Sequence, residues 1–224
     1  MDLSLQFEHP WDVSPDEAKR IQRRLASEVT ETPLPDTVET IAGVDVSVRD
    51  DTAQAAIAVL RRFGLTVIDR AVHRCEVPFP YVPGLLSFRE MPAVLPALEQ
   101  LGATPDVFVS DSHGYAHPRR FGLACHLGVL LDAPTIGVAK SILVGEPQGE
   151  LGTEKSSRTP LVDDGETVGT VLRTRTDVNP VYVSVGHRCT LDDAAALMLD
   201  CSPRYKVPEP TRQAHRLSRE TDDE

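Results

Sequence analysis

The chain has 224 residues, with 23 Lys plus Arg against 34 Asp plus Glu and a formal net charge of −11. That length holds one sizeable core with no sign of a second domain, and the absence of an apolar run of about 18 residues argues against a membrane span. The charge excludes capture of nucleic acid by global attraction, and lysine is scarce (Lys19, Lys140, Lys155 and Lys206 are the only four), a surface that points to a salty cytoplasm where long-range repulsion is screened.

The opening residues, MDLSLQFEHPWDV, lack the basic and apolar segments of a signal peptide, so a cytoplasmic protein is expected. Ser14-Pro15-Asp16-Glu17 predicts a helix start, with Ser as N-cap, Pro at the first helical position and Glu completing a capping box. Ala18, Ile21, Leu25 and Val29 then give that helix one apolar face. Three strands follow, over 40–48, 53–60 and 65–73, joined by links short enough for an antiparallel meander. A helix over 91–101 precedes a buried strand over 106–110, a helix over 119–131 and a strand over 135–138, an alternation that predicts parallel strands. Residues 146–157, rich in Gly, Glu and Ser, read as a surface loop. Strands over 168–173 and 181–185 and helices over 191–199 and 211–218 complete a single α/β domain of residues 1–224, whose tail, 219–224, is expected to fray. Cys75, Cys125, Cys189 and Cys201 are widely spaced, neither a zinc pattern nor a disulfide framework.

Two carboxylates stand where carboxylates are unexpected. Asp45 interrupts the apolar strand IAGVDVSV, on the face it shares with Gly43 and Ser47, and Asp111 ends the apolar strand DVFVSD. A buried, unpaired carboxylate is costly, and a hard divalent cation relieves that cost because it prefers oxygen ligands. Glu90, read at the start of its helix, is the third candidate acid. In DSHGYAHPRRFG, His113 and His117 stand beside Arg119 and Arg120. Pro118 is expected at the first position of a helix whose free amides face an anion, and Gly114 and Pro118 argue against both histidines sharing one helix face as zinc ligands. Lys140 follows a short apolar strand at the expected sheet edge. Pro80-Tyr81-Val82-Pro83-Gly84 is stiff and displays Tyr81 on a rigid tip, where an aromatic ring can wedge into a base stack.

Together, AGVDVS around Asp45, PYVPGLLSFRE from Pro80 to Glu90, the block DSHGYAHPRRFGLACHLGVLLDAPTIGVAKS from Asp111 to Ser141, GHR at 186–188 and PEPTRQAH at 208–215 resemble the endonuclease V family in order and spacing along nearly the whole chain. The resemblance implies a ribonuclease H-like fold with a mixed five-stranded sheet, its first three strands antiparallel and its later ones parallel. It also implies Mg²⁺ dependence, with Mn²⁺ as substitute, and incision at the second phosphodiester bond 3′ to a deaminated purine such as hypoxanthine, leaving 3′-hydroxyl and 5′-phosphate. On the family pattern Asp45, Glu90 and Asp111 hold metal, His215 lies near it and Lys140 approaches the scissile phosphate, these five being the catalytic set. Pro80, Tyr81, Val82 and Pro83 match a strand-separating wedge. Gly84, Leu86, Ser112 and Leu123 align with the lesion pocket, and Arg89, His117, Arg119 and Arg120 are expected to contact nucleic acid. Damaged DNA or inosine-containing RNA is the implied partner, for a monomer. Ser112 departs from the family's usual glycine, which bears on pocket shape. Two rivals share the acid cluster or the binding role: a junction resolvase or ribonuclease H, which accounts for neither PYVPG nor AHPRR, and a non-catalytic lesion- or RNA-binding module.

Overall fold

The computed structural model describes residues 4–77 and 79–220. Ser14 caps α1 (Pro15–Ala26), its hydroxyl accepting from the Glu17 N–H at 3.2 Å. Glu17 pairs with Arg20 at 2.8 Å. Ala18, Ile21 and Leu25 are buried, as the helical spacing requires.

The meander is β1 (Thr40–Arg49), β2 (Thr52–Arg61) and β3 (Val67–Glu76), antiparallel throughout. Asp50 and Asp51, both at positive φ, make the two-residue turn whose twist suits a tight hairpin. Next come α2 (Leu86–Glu99), β4 (Val107–Ser110), α3 (Leu123–Leu131) and β5 (Thr135–Ala139). β4 lies parallel to both β1 and β5. The chain then adds β6 (Glu146–Pro147), β7 (Arg158–Asp163), β8 (Glu166–Leu172) and β9 (Val181–His187), and ends with α4 (Leu191–Asp200) and α5 (Glu209–Leu217).

Among the described residues the sheet has nine strands, in the order β3-β2-β1-β4-β5-β9-β8-β7-β6, not the expected five. Parallel pairing is confined to β1-β4-β5. β4 and β5 are parallel as expected, but from β5 through β9 to β6 every pair is antiparallel, against the expectation for the last strands. The reason is connection length: parallel neighbours need a crossover, and α3 supplies one between β4 and β5, whereas β7 and β8 are joined directly by a tight turn with Asp164 and Gly165 at positive φ. Part of the expected loop over 146–157 pairs as β6, and β7, with Pro160 inside it, carries too weak an apolar pattern to be read as a strand.

Two apolar layers cover the sheet. Ala42, Val44, Ile57 and Phe108 pack with Met91, Val94 and Leu98 of α2 and Leu127 of α3. Ile41, Val107, Val109 and Ile136 pack on the other side with Ala194, Leu197 and Met198 of α4. The four cysteines are free thiols.

Candidate active site

Strand register brings the two aspartates together. In the parallel β1–β4 pair Val44 lies opposite Ser110, and the Asp111 N–H continues the ladder by donating to the Val44 carbonyl at 3.0 Å. Asp45 and Asp111 are therefore the next residues along two adjacent strands. β4 stops there while β1 runs on, which leaves one edge of β1 open. The resulting groove is lined by Asp45, Ser47, Arg49, Asp111, Lys140, His215 and Arg219 and has a volume of ≈ 570 Å³.

The face of β1 that carries Asp45 is covered by α5. Gly43 meets the Pro210 carbonyl so closely that a Cβ there would overlap it. One turn further along, His215 Nδ1 lies 3.1 Å from Asp45 Oδ2, and the Ser218 hydroxyl donates to the same oxygen at 2.6 Å. Ser47, next on this face, donates to the Ser218 carbonyl. Ligand atoms of Asp45, Asp111 and His215 lie within 4.8 Å of one another, an oxygen-rich set able to hold a divalent ion.

Glu90 stands at the edge of this group. It lies one turn inside α2, not at its start, because the helix begins at Leu86. Burial, followed by the charges of Asp45 and Asp111, pushes its carboxyl up to about 8. Burial also raises Asp111, with the Lys140 ammonium, which donates to its Oδ2, working the other way. Three acids crowded so closely are mutually destabilising, and a bound cation removes that penalty. The donor set fits one.

A second cleft, of ≈ 200 Å³, lies beside this groove and gathers residues from four places in the chain: Gln22, Tyr81 to Gly84 with Leu86 and Ser87, Ser112 and His113 with His117, Gly122 and Leu123, and Leu143. Tyr81 is 72% exposed, a displayed ring as expected. Gly84 has φ +75, a conformation that favours glycine, and its carbonyl is gripped from behind. Gln22 donates to it at 3.1 Å, Arg119 donates to it at 2.5 Å, and His117 Nε2 lies 3.0 Å away.

The basic block is arranged differently from the expectation. α3 begins at Leu123 rather than Arg119, and Pro118 does not open it, because Arg120 sits at φ 52 in a turn that returns its N–H to the His117 carbonyl. His117 is buried, and Arg119 also donates to Gln22 at 2.6 Å. Arg120 is held by Asp163 at 2.8 Å and Glu166 at 2.7 Å, while Arg89 donates to the Phe79 carbonyl at 2.9 Å. These four side chains brace the cleft and its flanks. Ser218, Arg49 and Arg219 were not singled out from sequence. Their only signal is helical spacing from His215 and strand position after Asp45.

The endonuclease V family profile matches residues 23–216. The endonuclease V of Gloeobacter violaceus is 50% identical over 214 residues, which is 94% of this chain and 87% of that one. The crystal structure of the Streptomyces avermitilis endonuclease V is 45% identical, with a TM-score of 0.89 and 93% of each chain covered. A Ciona intestinalis endonuclease V, solved with DNA containing an inosine followed by a ribo-adenosine, is 26% identical with a TM-score of 0.80, covering 91% of this chain and 95% of that one. With a profile spanning most of its length and half its residues shared with a full-length relative, this chain belongs to the endonuclease V family and is an endonuclease.

Proposed function

We propose that the protein nicks nucleic acid at the second phosphodiester bond 3′ to a deaminated purine, in DNA repair, with Mg²⁺ as cofactor and Mn²⁺ as substitute. The observation that carries the reading is the convergence of Asp45, Asp111 and His215 within ligand distance of one another, beside a cleft built from the Tyr81 loop. The inosine-containing DNA bound by the Ciona relative supports the lesion assignment.

Asp45 and Asp111 would hold the cation, with Glu90 and His215 completing its surroundings. When bound, the cation neutralises phosphate charge and lowers the pKa of water. His215 keeps Nε2 available toward the groove while Nδ1 engages Asp45, which suits it to orient a water or a second ion. Lys140, which pairs with Asp111 at the edge of the groove, would meet a phosphate oxygen there. Pro80, Tyr81, Val82 and Pro83 form the wedge that fills the gap left by an extruded base, and Gly84, Leu86, Ser112 and Leu123 line the pocket that receives it. The strands β1 to β5 with α2 and α5 form the ribonuclease H-like part, and residues 1–224 act as one cytoplasmic, monomeric catalytic unit. Arg119 and Arg89 position the pocket loop and reach nucleic acid at its rim.

The test is a nicking assay on end-labelled inosine-containing DNA and RNA, with Mg²⁺ and with chelator. A cut immediately 3′ to the lesion's 3′ neighbour, only with metal, is the expected product. Incision that is indifferent to inosine, or that survives chelation, overturns the proposal.

A further inference from the structure

The cleft is lined by polar side chains whose hydrogen atoms can be counted. Gln22 spends both amide hydrogens, on the Gly84 carbonyl at 3.1 Å and the Phe121 carbonyl at 3.2 Å. His117 faces the Gly84 carbonyl through Nε2 and accepts from the Arg119 N–H through Nδ1, at 3.2 Å. The Ser141 carbonyl can only accept, so the hydrogen of the neutral His113 ring lies on Nε2, 2.9 Å from it, and Nδ1 is left as an acceptor.

Ser87 is fixed by a chain that starts 77 residues earlier, at Pro10. The Pro10 carbonyl can only accept, so His9 carries its hydrogen on Nδ1, at 3.0 Å. His9 Nε2 then accepts from His126 Nε2 at 2.8 Å, and His126 Nδ1 must accept from the Ser87 hydroxyl at 2.9 Å. Burial holds both histidines neutral, as this pattern requires. The hydrogen of Ser87 is spent.

Ser112 is the exception. Its hydroxyl lies 2.7 Å from that of Ser110, and both residues are buried, at 6% and 3% exposure. The pair has two hydrogens and makes one bond between them. If Ser112 donated, the Ser110 hydrogen would be left inside the protein without an acceptor, a loss of about 1–3 kcal/mol. Ser110 therefore donates, and the remaining hydrogen belongs to Ser112, which lines the cleft where Ser110 does not. Apart from the phenol of Tyr81 on the rim, this is the one uncommitted side-chain donor among the described residues of the cleft.

Deamination of adenine replaces an amino group, a donor, by a carbonyl, an acceptor. A pocket that selects the product gains from a fixed donor facing it. We propose that the Ser112 hydroxyl, oriented by Ser110, donates to the exocyclic carbonyl oxygen of the inserted base and is a specificity determinant of this chain. The proposal rests on the lesion-nicking reading above and names the chemistry of its pocket.

The test compares the full-length parent with Ser112→Ala, Ser112→Gly and Ser110→Ala on strands carrying hypoxanthine or unsubstituted purine, which lacks the carbonyl. The preference of the parent for hypoxanthine, read as a ratio of kcat/KM, should fall about tenfold in both Ser112 variants, the size expected for one hydrogen bond. Ser110→Ala should give a smaller fall in the same direction. An unchanged ratio in Ser112→Ala overturns the assignment, as does an equal loss on both substrates, which would mark a role in shape alone. A parent that nicks neither strand removes the functional reading itself, and this inference with it.

Discussion

At the residue scale the site stores electrostatic strain in the metal-free protein, and Glu90 shows it most clearly. Its carboxyl is raised from the ordinary 4.5 to about 8 by burial and by two neighbouring aspartates. A carboxyl whose pKa rises on folding destabilises the fold once it must ionise. The penalty is absent below pH 4.5, grows between 4.5 and 8 and is complete above 8. Glu90→Gln should therefore raise the denaturant midpoint of the chelated protein at pH 9 and leave it unchanged at pH 4. Adding Mg²⁺ should shrink the gain at pH 9. An equal gain at both pH values would mean the substitution acts by packing instead. Ser218 is the counterpart on the stabilising side, since its hydroxyl donates to the Asp45 oxygen that also faces His215. Ser218→Ala should weaken Mg²⁺ binding, measured calorimetrically, by about tenfold, the lower end of what an outer hydrogen-bond partner of a metal ligand contributes. Unchanged affinity would show that Ser218 serves only to end α5.

At the scale of elements, α5 is the piece that makes two strands into a site, and its approach to β1 depends on Gly43. A methyl group at that position overlaps the Pro210 carbonyl, so the helix must move outward. Gly43→Ala should cost about 1–3 kcal/mol in stability, the usual range for overpacking. It should also lower nicking more than tenfold, because His215 and Ser218 ride on the same helix. A variant that loses stability but keeps full activity at low temperature would uncouple the helix from the chemistry. The alternation of β1 made Asp45, Gly43 and Ser47 legible as one face, and the capped start of α1, the meander and α4 were legible from periodicity. The basic block is not legible in the sequence because Pro118 is equally compatible with a helix start and with a turn, and Arg120 at φ 52 belongs to the turn. The short antiparallel strands β6 and β7 escaped notice because neither has a clean alternation. Contacts between distant segments, such as Gln22 on Gly84 or Ser218 on Asp45, leave no trace in local pattern.

At the scale of the whole molecule, an acidic protein must bring a polyanion to an acidic site. The net charge of −11 opposes approach, and several of its cations are already paired: Arg120 with Asp163 and Glu166, Arg62 with Asp200, Arg158 with Asp192 and Arg188 with Asp132. A local strip along the groove, Arg49 and Arg219 with Lys140 once it leaves Asp111, supplies attraction, together with whatever cation the acids hold. Charges in such a strip act within a few ångströms, whereas the repulsion of the whole surface acts over the Debye length, about 30 Å at 0.01 M salt and about 3 Å at 1 M. Added salt should therefore remove the unfavourable term before it removes the favourable one. Nicking of a lesion-containing strand at saturating Mg²⁺ should accordingly rise from dilute buffer and persist into molar KCl, unlike a basic binder, whose affinity falls steeply over the same range. A rate that peaks in dilute buffer and vanishes in molar KCl would show that the acidic, lysine-poor surface is not an adaptation to high salt.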